Sequence, residues 1–218
     1  MNYETRTYNL DDLEGSDFII SYWDGHRTVG HTFISFRFKN QPPIAVSVEV
    51  RKEQGETYHP FNGLFKQYEL IYVIGDERDL ISLRTHHRSE ETFLYPLNLN
   101  IEESEAFLLS LLKGAQKLQK SPTFYHSLDQ NCTTTLIKHV NDIPKFTVTA
   151  GINIILNGLS DYAVYQMKGF SNELEFSTLK RSCYISKLSQ TLSIDEASSK
   201  NLRTAVKQKI QHELNQSH

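Results

Sequence analysis

Hydrophobic and polar positions alternate with period two through the first quarter of the chain. Phe18-Ile19-Ile20-Ser21-Tyr22-Trp23 predicts a strand closed by the turn pair Asp24-Gly25. A second strand is expected from near Gly30 through Phe38. It sets Thr32, Ile34, Phe36 and Phe38 on one face and His31, Phe33, Ser35 and Arg37 on the other. Asn40-Gln41-Pro42-Pro43 interrupts the alternation, because proline gives no N–H to a central ladder. Ile44 to Arg51 resumes it, with Ile44, Val46, Val48 and Val50 opposite Ala45, Ser47, Glu49 and Arg51. One apolar and one mixed face on each strand predicts an antiparallel pair packed on one side. Such a pair brings His31 toward Ser47 or Glu49.

Lys52 to Gly63 is charged and turn-rich and reads as an exposed loop. Tyr68 to Ile74 and Asp79 to Thr85 read as strands joined by a turn at Asp76-Glu77-Arg78, and Thr92 to Leu97 as a short strand. The period then changes to 3.6. Asn100 can cap a helix, Glu103 completes a capping box, and Leu108, Leu111, Leu112, Ala115 and Leu118 recur down to about Lys120, before Ser121-Pro122. A second helix is expected from about Cys132, with Leu136, Ile137 and Val140 as its stripe and Pro144 beyond its end. From Phe146 the pattern weakens, and Gly151 to Leu159 reads as a short helix or buried loop. Ser193 to Leu214 predicts a terminal helix with an imperfect apolar stripe that includes Leu202, Ala205 and Val206. With no internal repeat and no long linker, the expectation is an α+β fold. A domain over 1–190 would carry a helical C-terminal extension over 191–218.

Composition narrows the function classes. The chain has 218 residues with 39% hydrophobic positions, enough for one sizeable core. A net charge of −3 argues against a general nucleic-acid coat, which needs clustered Lys and Arg. The first dozen residues are polar and acidic, unlike a secretory leader, and no apolar run is long enough to cross a bilayer. Cys132 and Cys183 are too few for a disulfide framework, although they could form one bridge. The glycines form no phosphate loop or dinucleotide fingerprint, and Gly158-Leu159-Ser160 lacks the flanks of a nucleophile elbow. His26, His86 and His87 lack the spacing and further ligands of a zinc site, so neither metal nor cofactor is expected. His59, His126, His212 and His218 read as solvated.

The remaining chemistry converges on Asn131-Cys132-Thr133-Thr134-Thr135. Asp129, Gln130, Asn131 and three threonines surround the cysteine, a setting unlike a core strand. At a helix start, unpaired N–H groups and the positive end of the helix face the sulfur, which lowers a thiol pKa and favours the reactive thiolate. The same N–H groups can donate to an oxyanion. A cysteine nucleophile needs a base within hydrogen-bond reach and a partner that orients the base. His31 is the best-placed base and Glu49 its candidate partner, with Ser47 a weaker alternative. His139 stands about two helical turns from Cys132, too far to be the base.

Longer blocks add a resemblance. Ser21-Tyr22-Trp23, the Gly30–Phe36 run, Val46 to Glu56, Gly63 to Val73, Asp76 to Asp79, Leu94 to Leu97 and Asn131 to Thr134 resemble the bacterial Lnb N-terminal periplasmic domain family. The resemblance spans about Tyr8 to Ile185. That family is similar to permuted papain-like thiol enzymes of the NlpC/P60 superfamily, the branch with histidine before cysteine. Lecithin retinol acyltransferase belongs to the same branch, and its Asn-Cys pair opening a helix resembles Asn131-Cys132. The resemblance implies Cys132 as nucleophile and His31 as base, whereas Glu49 comes from strand geometry. It also implies a periplasmic or envelope setting and a thiol acyltransferase that takes an acyl chain from a lipid ester and passes it to an amine of a lipoprotein. Phospholipid or lipoprotein substrates and peripheral membrane contact follow, with Tyr58, Phe61 and Phe65 as residues that could edge a lipid-facing loop. A cysteine peptidase or amidase of the NlpC/P60 type, or a non-catalytic binding domain of the same fold, are the alternatives. Family members usually carry an export or membrane segment upstream, so a trimmed domain or a different setting is expected here.

Overall fold

The computed structural model describes residues 5–23, 26–53, 55, 63, 65–143, 146–148, 157–170 and 173–216, without the side chains of His26, Glu196 and Ala197. Leu13–Trp23 (β1) and His26–Phe38 (β2) form a long antiparallel hairpin, and a two-residue turn leads into Gln41–Arg51 (β3). Asn40 supplies the left-handed backbone of that turn, φ 55°. Pro42 and Pro43 fall at the beginning of β3, where a strand tolerates proline. Glu69–Asp76 (β4) and Glu91–Pro96 (β5) complete one open antiparallel sheet in the order β4-β3-β2-β1-β5.

Between β4 and β5 the chain is helical, where a strand over Asp79 to Thr85 was expected. Glu77–Ser82 (α1) continues into a π turn over Leu83–His87. The local reason is a cap: the Asp76 carboxylate accepts the N–H of Arg78, and Glu77 and Asp79 occupy the first turn, where negative charge suits the helix dipole.

Ile101–Lys120 (α2) starts on a complete Asn100–Glu103 capping box and ends at Ser121, as its sequence predicts. Cys132–Asn141 (α3) follows, then a 3-10 turn at Asn157–Leu159 leading into Ser160–Gln166 (α4). Phe176–Cys183 (α5), Ser186–Thr191 (α6) and Glu196–Gln216 (α7) close the chain. The expected loop over 52–63, the segment 151–156, and Tyr58, His59, Phe61, Pro144 and His218 lie wholly or largely outside the described residues.

The sheet is buried on both faces rather than one. On the first face, Phe36 packs edge-on against Phe107 of α2 and Ser16 Oγ lies 3.0 Å from Ser104 Oγ. Phe36 is fully buried, a contribution of about 1.5–3 kcal/mol relative to exposure. On the second face, Arg203 of α7 binds Asp17 of β1 through Nε at 2.7 Å and reaches Glu77 and Ser35 with its terminal nitrogens. Packing on one side was the expectation, but Asp17, Ser35 and Glu77 on this face are satisfied by a buried arginine almost two hundred positions along the chain. This open sheet packed with helices, with further helices at the C-terminus, is a papain-like α+β fold.

Candidate active site

Cys132 is the first residue of α3, and its position is set by a capping box. The Asn131 side chain accepts the N–H of Thr134 at 2.9 Å, Thr134 Oγ1 accepts the N–H of Asn131 at 2.9 Å, and Asn131 Nδ2 donates to Ser127 O at 2.8 Å. The next N–H, of Thr135, returns to Asn131 O. The N–H groups of Cys132 and Thr133 have no acceptor within the helix.

The sulfur meets the sheet where two strands part. The β2–β3 ladder runs from Phe38↔Gln41 to Phe33↔Ser47, while β2 continues beside β1 and β3 continues beside β4 as far as Arg51↔Glu69. At the opening, His31 and Thr32 of β2 are the neighbours that favour the ionised form of Cys132. Thr133 ties the helix to the same strand, its hydroxyl 3.1 Å from that of Thr32. Cys132 is 3% exposed and His31 is 4% exposed, so both act in a medium far drier than bulk water.

His31, Ser47 and Glu49 come together as alternation suggested. His31 Nε2 lies 2.7 Å from Ser47 Oγ and 3.0 Å from Glu49 Oε1, and Ser47 Oγ donates to the same carboxylate oxygen at 2.9 Å. Arg84, from the π turn, donates to Glu49 Oε1 at 2.8 Å. Three donors therefore converge on one carboxylate oxygen.

The charges follow from these contacts. Burial opposes ionisation of Glu49, but His31, Arg84 and Ser47 together hold its carboxyl well below the usual carboxylate range. Burial pulls His31 down and Arg84 adds to that, yet the Glu49 charge and the hydrogen bonds to Cys132 and Glu49 raise it to about 9. Burial pushes the Cys132 thiol up, and its contacts with His31 and Thr32 bring it down to about 7. The pair is thus an imidazolium beside a thiolate between about pH 7 and pH 9. Cys183 contrasts sharply. It is fully buried in the core, unbridged, and burial pushes its thiol far up.

Two residues of the site carried no sequence signal. Arg84 lay in the segment read as a strand. Asn157, in the 3-10 turn, donates from Nδ2 to Cys132 Sγ at 3.4 Å, and its Oδ1 is buried with no hydrogen-bond partner among the described residues. Such an orphaned acceptor costs about 1–3 kcal/mol. His139 stands apart from the thiol, between Tyr72 OH at 2.6 Å and Ser110 Oγ at 2.8 Å. His126 pairs with Asp129 and His212 is exposed beside Gln216.

A sequence model of the Lnb N-terminal periplasmic domain family matches residues 1–177. The chain belongs to that family. No curated protein and no solved structure matches it. As an Lnb N-terminal domain it has the fold of the NlpC/P60-like thiol-enzyme superfamily, and its place is the periplasm or the cell envelope. Among the described residues no helix is long and apolar enough to cross a membrane.

An apolar cleft of about 100 Å³, partly open to solvent, reaches Thr133, the neighbour of Cys132, while Cys132 and His31 themselves do not line it. Phe18 and Ile34 form its floor, α3 one wall through Leu136 and Val140, and α4 another through Ala163. Thr133 and Ser160 also line it, and Thr133 Oγ1 is 3.9 Å from Cys132 Sγ. Phe65, one of the residues expected at a lipid-facing edge, is exposed.

Proposed function

We propose that this domain is a thiol acyltransferase in which Cys132 takes an acyl chain from a lipid ester and passes it to an amine. By resemblance to the family, the amine is the amino terminus of a lipoprotein. The observation that carries this reading is the apolar lining of the cleft that reaches Thr133, next to Cys132, because an uncharged trough suits an acyl chain better than a polar peptide backbone.

In the proposed first half-reaction the Cys132 thiolate attacks the ester carbonyl, an S–C bond forms, and the carbonyl electron pair moves onto oxygen. The N–H groups at the start of α3 hold that oxyanion. Collapse breaks the C–O bond, and the departing alcohol takes its proton from the His31 imidazolium. In the second half-reaction an amine attacks the thioester, His31 accepts the amine proton, and the thiolate leaves. Glu49, held by Ser47 and Arg84, orients His31 and stabilises its charge through both steps.

Chain length tests the reading. Each methylene buried in the cleft stabilises binding by about 0.8 kcal/mol, so lengthening a p-nitrophenyl ester from four to eight carbons should speed Cys132 acylation by roughly a hundredfold. Ala163→Phe, which fills the cleft, should remove that advantage and leave alkylation of Cys132 by iodoacetamide within about threefold of the parent rate. A flat chain-length profile in the unaltered protein, or cleavage of cell-wall peptides in place of acyl transfer, would reject the lipid assignment.

A further inference from the structure

We infer that Asn157 is a catalytic residue whose side-chain amide donates a hydrogen bond to the acyl carbonyl oxygen as Cys132 attacks, completing an oxyanion hole with the N–H of Cys132. The inference rests on the proposed role of Cys132 as nucleophile.

Asn157 already touches the reacting atom, with Nδ2 3.4 Å from Sγ. After attack, the carbonyl oxygen lies one bond angle away from that sulfur, within reach of a donor that was resting on it. The amide carries two N–H groups, so it can support the thiolate before attack and the oxyanion after it. The N–H of Cys132, at the first position of α3, has no acceptor within the helix and is a second donor for the same charge. Neither donor transfers a proton. The oxygen's electron pair returns when the ester C–O bond breaks, and His31 protonates the leaving alcohol.

The placement of Asn157 is fixed from three sides. Gly158 presses against β2 so closely that a Cβ there would lie 2.4 Å from Arg27 O and 2.8 Å from Thr28 Cα. Ser160 Oγ donates to Asn157 O at 2.7 Å, which closes the turn into α4. The next residue, Asp161, is buried and accepts from Tyr22 OH at 2.8 Å, Tyr95 OH at 3.0 Å and Lys180 Nζ at 2.8 Å. Burial and the Asp161 charge push the Tyr22 hydroxyl far up, so it stays a donor. A donor pre-set in this way needs no reorganisation at the moment of reaction. The Oδ1, unpartnered among the described residues, points the same way: a side chain kept only for packing would satisfy its buried acceptor, whereas this amide is turned to aim its donor at the sulfur.

The test separates attack on a carbonyl from attack on a carbon that develops no oxyanion. Asn157→Ala and the isosteric Asn157→Asp are compared with the unaltered protein and Cys132→Ala, following both p-nitrophenyl octanoate acylation and iodoacetamide alkylation by intact mass. Both Asn157 variants should lose about a hundredfold in acylation, and Asn157→Ala should be alkylated within about threefold of the unaltered rate. Equal losses in both reactions of Asn157→Ala would assign Asn157 a positioning role only and overturn the inference, as would unimpaired acylation of either variant. Failure of the unaltered protein to acylate on Cys132 would instead reject Cys132 as nucleophile, and the inference with it.

Discussion

At Cys132, a residue with a few per cent exposure is expected to ionise more readily than free cysteine, because the charge it gains faces an imidazolium and the N–H of Thr32. This fixes a pH profile. Thiolate appears as pH rises through about 7, and the imidazolium that protonates the leaving group disappears as pH rises through about 9. Alkylation by iodoacetamide should therefore rise with a midpoint near 7, while acyl transfer should be bell-shaped between those two limbs. An alkylation midpoint at or above the ordinary thiol range of about 8.5 would contradict the paired charges. Glu49→Gln removes the charge that raises His31, so the imidazolium should be lost at lower pH and the alkylation midpoint should climb toward that ordinary range. Acyl transfer should fall on the order of a hundredfold. Cys183, whose thiol is buried and pushed up, should stay unlabelled in the folded protein, as peptide mapping after alkylation would show.

Much at this scale was legible because the information is local. Asparagine before Cys132 and threonine three residues after that asparagine make a cap wherever a helix starts, and period two puts His31 on one face of its strand and Ser47 and Glu49 together on one face of the next, with the register left to the structure. Arg84 and Asn157 were not legible. Each reaches the site through tertiary packing, from a turn whose sequence neighbours say nothing about its target.

The element on which the site depends is the start of α3. Asn131 is fully buried and serves Thr134 and Ser127 at once, so Asn131→Ala should cost toward the upper end of the range of about 0.5–2 kcal/mol for a lost cap. Urea denaturation would register it as a lower midpoint at unchanged slope, and a stability unchanged within a few tenths of a kcal/mol would show that the cap does not frame the cysteine. The misread element, α1 with its π turn, carries a lesson about competing signals. Leu80, Ile81 and Leu83 look like strand residues, but Asp76 offers a carboxylate at the right spacing to satisfy a first-turn N–H, and the helix it starts delivers Arg84 to Glu49. The capped helix α2 gave no such conflict, since cap, apolar spacing and terminating Ser121-Pro122 all agree.

Across the whole molecule, the two faces of the sheet do different work. One face packs α2, α3 and α4 around the apolar cleft, and the other holds a polar track from Arg203, Glu77 and Asp17 along to His31, Glu49 and Arg84. Alternation put His31, Ser35, Ser47 and Glu49 on the mixed faces of their strands but expected packing on one side only, because no pattern in one sequence couples Asp17 to an arginine on the last helix. Arg203→Ala should leave Asp17 and Glu77 buried without their cation and destabilise the fold by roughly 3–5 kcal/mol, read from chemical denaturation. A loss below about 1 kcal/mol would mean that α7 is an appendage rather than part of the sheet's cover. The central claim is that Cys132 carries an acyl group taken from a lipid, and intact-mass measurement after incubation with phospholipid vesicles tests it most directly. The account predicts a mass gain of one acyl chain, discharged by an added amine and absent from Cys132→Ala. No adduct on the unaltered protein, or one that persists in Cys132→Ala, would contradict it.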